Sequence, residues 1–501
     1  MNAPYAIEVV EATKTFGPVV ANDSVSFSVS RGEILALLGE NGSGKTTLVN
    51  LLSGIYYPDG GHIRVNGREA AIRSPKDAYA LKIGMIHQHF KLVDVLTDAE
   101  NIVLGIPGGL RFSRKEIAGE VRAIGEKYGF LIAPEKKVYR MSVSEKQTVE
   151  IVKALYHGAD ILILDEPTAV LTPQESERLF SVLKTMRDDG KTIILITHKL
   201  NEVLAVSDRV MVMRKGRCVD TVETKNADIQ GLTEMMVGRP MELTIQRKEA
   251  ETTPLLSVTD LSVRHKAGHL ALNRVGFDLH GGEILGVAGV AGSGQRELCE
   301  ALTGLCPAVS GRILIGGVDI ANAEPGQMRK KGVRVGFIPE DRLGVGLVGG
   351  LGITENLLLR GYHKQGFALS RKPAAEQARE LIQWLHVDTT GPKQKVSQLS
   401  GGNVQKVLLG RELMEAPQVI VAAYPVRGLD IGASYMVYDL LQEQKARGVG
   451  VLFVGEDLDV LLELCDRILV LCGGQVSGIV DAKVATKEQI GGMMTLRAMV
   501  G

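Results

Sequence analysis

"GENGSGKTT", residues 39 to 47, decides how this chain is read. Gly39, Gly44, Lys45 and Thr46 satisfy the pattern G-x-x-x-x-G-K-[ST]. The apolar run "ILALL" precedes the stretch and an amphipathic segment follows it, so the loop joins a strand to a helix, as phosphate binding requires. Backbone N–H groups of a glycine-rich turn and of a helix N-terminus converge on anions. In this pattern Asn41, Gly42, Ser43 and Thr47 complete the cradle, Lys45 reaches the β and γ phosphates, and the Thr46 hydroxyl binds Mg²⁺.

Outward from this loop the chain repeats itself. "RGEILALLGENGSGKTTL" at 31 to 48 matches "GGEILGVAGVAGSGQREL" at 281 to 298, an offset of 250. "ADILILDEPTAVLT" at 159 to 172 matches "PQVIVAAYPVRGLD" at 417 to 430, and "IILITHKLNEV" at 193 to 203 matches "VLFVGEDLDVL" at 451 to 461, both at offset 258. Order and spacing persist over half the chain, which makes the halves homologous units of about 240 residues, 1–243 and 255–501. The polar stretch "TIQRKEAETTP", 244–254, with its closing Pro254, reads as a short linker.

Within each unit, apolar runs such as "ILIL" and "IILI" alternate with amphipathic segments. One of these, "TPQESERLFSVLKTMRDDG", opens with Thr172 as N-cap, Pro173 in the first turn and Glu175 at the capping-box position, and stops at Gly190. Strands apolar on both faces alternating with helices predict an α/β fold, a mainly parallel sheet covered on each side.

Composition narrows the function. Among 501 residues, 58 Lys plus Arg balance 58 Asp plus Glu, which argues against a nucleic-acid partner. The 5 cysteines are scattered without metal-ligand spacing and read as free thiols in a reducing compartment. "MNAPYAIEVVEATKTFG" lacks the basic start and apolar run of a signal peptide, and no stretch approaches the roughly 18 apolar residues of a spanning helix. The expectation is a cytoplasmic chain that meets a membrane only through another protein.

The strand "ILIL" delivers Asp165 to the metal and places Glu166 beside it, where a second carboxylate polarises the attacking water. With these residues the chain resembles the ATP-binding subunits of ABC transporters: "GENGSGKTT", Gln88 in "MIHQHF", "ILILDEP" and His198 in "ITH" follow in that family's order. The resemblance covers nearly the whole chain. It implies two tandem ABC-type P-loop ATPase domains, each with a parallel sheet core, an antiparallel β part and a helical subdomain, and ATP and Mg²⁺ as cofactors. By the same resemblance Gln88 senses Mg²⁺ and the permease, His198 contacts the γ phosphate, and Phe16 stacks on adenine.

Members of the family work as head-to-tail pairs, in which each ATP lies between one unit's phosphate loop and the other unit's "LSGGQ" signature. The second half has "LSGGN", with Ser400, Gly401, Gly402 and Asn403; the first has "MSVSE", with Val143 and Ser144 in place of the glycines. Sorted by composite site, site one takes Lys45, Thr46, Gln88, Asp165, Glu166 and His198 together with "LSGGN" and Asp430, and every part is present. Site two takes Gln295, Arg296, Glu340, Ala423, Tyr424 and Glu456 together with "MSVSE" and Thr172, and every charged or metal-binding role is altered. Ala423 cannot ligate Mg²⁺, and Tyr424 cannot act as a carboxylate base near neutral pH. The expectation is one hydrolytic site and one structural or nucleotide-holding site.

"LTPQE", "PEDR" and the failing second loop resemble the sugar and nucleoside import branch, and "MIHQHFKLVDVLTDAENIVLG" with "GFIPEDRLGVGLV" most resembles the nucleoside importers rather than those for ribose or galactose. The resemblance implies two membrane permease subunits and an extracytoplasmic solute-binding protein, with the chain peripheral on the cytoplasmic face and "HQHFKLVDVLT" against a permease. Two rival readings stand beside it. A soluble tandem ATPase acting on ribosomes or nucleic acid predicts two intact sites and a basic surface; a non-hydrolysing, nucleotide-gated module predicts loss of Asp165, Glu166 or His198.

Overall fold

The computed structural model describes residues 5–87, 90–105, 113–168, 171–197, 199–240, 244–265, 268–362 and 370–495. The chain divides into two units, Met1–Glu242 and Leu243–Gly501.

The first unit is built on a six-stranded sheet in the order Arg217–Glu223, Arg209–Arg214, Ile34–Gly39, Thr192–Ile196, Ile161–Asp165, Ile83–Ile86. All neighbours run parallel except the first pair, a hairpin at one edge. Side chains of a strand point alternately to opposite faces, and here each face has its own core. Ile161, Ile163, Ile194 and Ile196 face one cluster with Leu35, Leu37 and Leu48. Leu162, Leu164, Ile193 and Leu195 face the other with Ile34, Leu179, Leu183 and Met186. Burial on both faces explains why these strands read as unbroken apolar runs rather than as alternating ones.

The first face carries a four-stranded antiparallel sheet, Val19–Ser30, Tyr5–Phe16, Gly60–Val65 and Arg68–Glu69 in that order, together with helix Lys45–Leu52. The second face carries helix Pro173–Asp188, which begins with the expected capping box: Thr172 and Glu175 each bond the other's backbone N–H. Helices Asp98–Ile102, Arg114–Tyr128 and Val143–Tyr156 pack around a separate small core of Ile102, Val121, Val149 and Val152.

The second unit repeats this plan. Its sheet runs Val335–Ile338, Val419–Ala423, Gly450–Val454, Ile284–Gly289, Arg467–Cys472, Gln475–Asp481, again with only the last pair antiparallel. Helices Ile353–Gly361, Lys372–Trp384 and Gly401–Met414 correspond to the three of the first unit.

The polar stretch after residue 243 runs along the second unit. Ile245 is buried in its core, Arg247 donates to the carbonyls of Leu462 and Glu463, and the Lys248 N–H donates to Gln442 at 3.0 Å. Thr253 and Pro254 already belong to strand Thr253–Arg264. The 5 cysteines are free thiols. Among the described residues no helix is long and apolar enough to cross a membrane.

Candidate functional site

In the first unit the phosphate loop follows the central strand Ile34–Gly39 and ends at Gly44, the N-cap of helix Lys45–Leu52. Gly44 has φ +100°, and a Cβ there would lie 2.4 Å from the Ala21 carbonyl oxygen, so the turn excludes any side chain. No side chain caps this helix and no acid stands in its first turn, which leaves its N–H groups turned to the loop.

Lys45 is buried, and its Nζ donates to the carbonyls of Gly39 at 2.6 Å and Glu40 at 3.0 Å. Burial pushes its ammonium below the usual lysine range, against the pull of Glu166, Asp165 and Glu40. The Ser43 hydroxyl is buried without a hydrogen-bond partner in the protein. An orphaned hydroxyl, a desolvated ammonium and uncapped N–H groups fit a polyphosphate. Asn41, Gly42 and Thr46 are exposed and Thr47 is half-buried.

Asp165 closes strand Ile161–Asp165. Burial raises its carboxyl above the usual range, adjacent Glu166 adds to the rise, and Lys45 opposes it. Glu166 takes a left-handed backbone, φ +51°, tied by its N–H to the Ile196 carbonyl at 2.9 Å. A non-glycine residue held in this region costs on the order of 1–3 kcal/mol, and such strain clusters at functional positions. Two carboxylates and one ammonium thus share the end of the sheet, a donor set of oxygen ligands that suits Mg²⁺.

Phe16, 42% exposed, ends the antiparallel strand with its ring edge-on to Tyr56 at 5.1 Å and the Lys14 ammonium 5.7 Å from its centroid. Gln88 and His198 lie outside the described residues; strand Ile83–Ile86 leads to the first and strand Thr192–Ile196 to the second.

The second unit keeps this backbone and changes its chemistry. Gly294 has φ +97°, and a Cβ there would lie 2.6 Å from the Ala271 carbonyl oxygen. Gln295, buried at the place of Lys45, donates from Nε2 to the Val290 carbonyl at 3.1 Å. Arg296, at the place of Thr46, points to solvent and pairs with Glu300 at 2.8 Å. Tyr424 has φ +48° and ties its N–H to the Val454 carbonyl at 3.0 Å, the geometry of Glu166. Burial pushes its hydroxyl far above the usual tyrosine value, and Glu456 and Glu340 push it further.

Arg427 then pairs with Glu340 and, at 3.6 Å, with Glu456. The two carboxylates that replace Gln88 and His198 in sequence order are therefore held by an internal guanidinium. Sequence reasoning passed over Arg427, because its pairing with residues 87 and 29 positions away leaves no local pattern.

The two signatures differ in what their serines do. Ser142 caps helix Val143–Tyr156 in a closed box: its hydroxyl accepts from the Glu145 N–H at 3.2 Å, and Glu145 accepts from the Ser142 N–H at 2.7 Å. Lys136 occupies the same carboxylate at 2.6 Å. Ser400 begins helix Gly401–Met414 without capping a backbone N–H; its hydroxyl accepts from Asn403 Nδ2 at 2.9 Å, and no acid stands in the first turn. Asp430 caps the next helix, its carboxylate accepting from the Ala433 N–H at 2.7 Å. Cβ atoms at Gly401 and Gly402 would meet nothing closer than 3.6 Å within the unit. The two glycines thus weaken the start of this helix with no packing need for them among the described residues of the unit.

A glycine-rich loop between strand and helix, its buried lysine, and a strand-end carboxylate pair define a P-loop ATPase. The family model described as "ABC transporter" matches residues 22–169 and 272–425, one match in each unit. The nucleoside import ATP-binding protein NupA of Lactococcus lactis is 42% identical, over 97% of this chain and 97% of that one. The guanosine import ATP-binding protein NupO of Bacillus subtilis is 42% identical, over 98% and 97%. The ribose import ATP-binding protein RbsA 1 of Rubrobacter xylanophilus is 39% identical, over 98% of each. The chain belongs to the ABC transporter family, as one of its ATP-hydrolysing subunits.

Proposed function

We propose that the chain powers an importer for nucleosides, and that its two phosphate loops do unequal work. The substrate class is supported by 42% identity along almost the full length to nucleoside and guanosine import proteins. The inequality is supported by one observation: Lys45, Asp165 and Glu166 cluster at the end of one sheet, whereas the matching positions of the other hold Gln295, Ala423 and Tyr424.

In this reading Lys45, Thr46 and the loop N–H groups hold the ATP phosphates, with Phe16 against the base. Thr46, Asp165 and Gln88 hold Mg²⁺, which when bound neutralises charge on the β and γ phosphates. Glu166 orients and polarises the attacking water, and His198 contacts the γ phosphate. Ser400, Gly401, Gly402, Asn403 and Asp430 complete this same site from the second half. The second half's own loop has no lysine, no metal carboxylate and no base, and hydrolyses nothing.

The chain works with two membrane permease subunits and an extracytoplasmic solute-binding protein, and sits peripherally on the cytoplasmic face. Nucleotide binding closes the halves and hydrolysis reopens them, switching the permeases between outward and inward access. A monosaccharide importer is the second reading, favoured by the ribose relative at 39% identity. The deciding experiment reconstitutes the chain with its permeases and binding protein in liposomes. Guanosine, and not ribose, is expected to stimulate ATP hydrolysis; stimulation by ribose alone reverses the assignment.

A further inference from the structure

The phosphate loop of the first unit rests on a side chain that belongs to none of the motifs. Asn22, paired with Lys14 on strand Val19–Ser30, is fully buried, and its Nδ2 donates to the Gly44 carbonyl at 3.2 Å. That carbonyl also accepts the first bond of helix Lys45–Leu52, from the Leu48 N–H at 2.9 Å. The approach is close, since a Cβ on Gly44 would lie 2.8 Å from Asn22 Nδ2. Only the nitrogen end of an amide can donate to a carbonyl, which leaves Asn22 Oδ1 buried and without a hydrogen-bond partner among the described residues.

The second unit has a leucine at this place. The Asp23 N–H donates to the Gly216 carbonyl and the Asn273 N–H to that of Gly474, each at 2.8 Å, which makes Leu272 the counterpart of Asn22. Gly294 packs on Leu272 as Gly44 packs on Asn22: a Cβ there would lie 2.5 Å from Leu272 Cδ2. The Gly294 carbonyl accepts from the Leu298 N–H at 2.9 Å, and leucine has no donor to add. Leu272 is fully buried in an apolar core with Val275 and Leu298. Asparagine and leucine share one branched skeleton of heavy atoms, so the same backbone seats either.

A buried amide with one end unpaired costs folding free energy that a leucine does not, and the unit that bears this cost is the one whose loop carries Lys45. We propose that Asn22 is a positioning residue for nucleotide binding: its hold on the Gly44 carbonyl aims the Lys45 N–H at the phosphates of bound ATP. The inference rests on the reading above in which this loop holds the ATP phosphates. The C=O and N–H of one trans peptide point in opposite directions and turn as one plane, so fixing the Gly44 oxygen fixes the Lys45 N–H, the first of the uncapped donors of helix Lys45–Leu52. A donor on the carbonyl also polarises the peptide and strengthens its N–H toward an anion. The second unit, with Leu272 and Gln295, lacks this support together with the lysine.

The test sets ATP affinity of the full chain beside its unfolding midpoint in denaturant, for wild type, Asn22→Leu, Asn22→Ala and Lys45→Ala. Asn22→Leu and Asn22→Ala are both expected to weaken ATP binding roughly tenfold, the weight of one hydrogen bond. Their stabilities are expected to diverge: leucine fills the site and removes the orphaned oxygen, which keeps the midpoint at or above wild type, whereas alanine leaves a cavity and lowers it. A role in folding alone would make affinity follow the midpoint instead. Wild-type affinity in both Asn22 variants overturns the proposal, as does affinity that falls only where stability falls, or an Asn22→Leu chain less stable than wild type. In each of these cases loss of ATP binding by Lys45→Ala leaves the reading of the loop standing. A chain that binds ATP equally well with Lys45→Ala, or a wild-type chain that binds none, overturns both.

Discussion

Lys45 and Gln295 occupy the first position of equivalent helices, and each turns back to a carbonyl of its own loop. Gly44 and Gly294 hold the same left-handed turn, and Glu166 and Tyr424 hold the same left-handed backbone behind the sheet. The two cradles therefore share a main chain and differ in a handful of side chains. Shape here is set by glycines and strand ends, chemistry by the groups hung on them, and the second can be lost while the first persists.

The largest effect that tests this contrast is on turnover. Glu166→Gln is expected to lower ATP hydrolysis by the assembled complex roughly 10²–10⁴-fold, because it removes the group that polarises water, while Tyr424→Phe leaves the rate near wild type. Substantial hydrolysis by Glu166→Gln would break the contrast between the units. Nucleotide stoichiometry sharpens it next: equilibrium binding should give one ATP per chain, abolished by Lys45→Ala. Gln295→Lys alone should add no second nucleotide, since Glu340 and Glu456 remain in the second cradle; two ATP per wild-type chain would refute this.

A smaller effect separates the helical layers. Asp98 and Ile353 open equivalent helices, and both are buried, but the Asp98 carboxylate carries an oxygen without a partner. Burial pushes its carboxyl up to about 6, with Glu135 and Glu145 adding to the rise. A folded-state pKa above the unfolded one means that the folded chain binds the extra proton, so stability falls as pH rises from about 4 through about 6. Asp98→Asn should therefore raise the unfolding free energy by about 3 kcal/mol at pH 8 and by almost nothing at pH 4, as read by denaturant titration. The smallest effect concerns the signatures: Ser142→Ala is expected to cost about 1 kcal/mol of stability through its lost cap with turnover unchanged, whereas Ser400→Ala should lower turnover and leave stability nearly intact.

The sequence made the repeat, the α/β plan and the loop-and-carboxylate chemistry of the first unit legible, because each rests on a local pattern with a fixed spacing. Thr172, Pro173 and Glu175 announced a helix start that formed as expected. The stretch after residue 243 was harder to read: its polar composition suggests free chain, yet Ile245 and Arg247 find partners that lie far along the sequence. The same holds for Arg427 with Glu340 and Glu456. Such clusters are assembled by tertiary folding from residues that look like an ordinary charged surface when read in a line.

The left-handed backbone at Tyr424 has a practical consequence. Holding a bulky residue there is unfavourable, yet the turn persists with no carboxylate to aim, fastened to the Val454 carbonyl. On the reading proposed above, the second unit is in this respect a dormant engine with its loop and strand-end mountings intact. On that reading, restoring a reactive centre starts from exchanging side chains on an existing phosphate loop and strand end, which makes this chain a suitable starting point for laboratory selection of a doubly active variant.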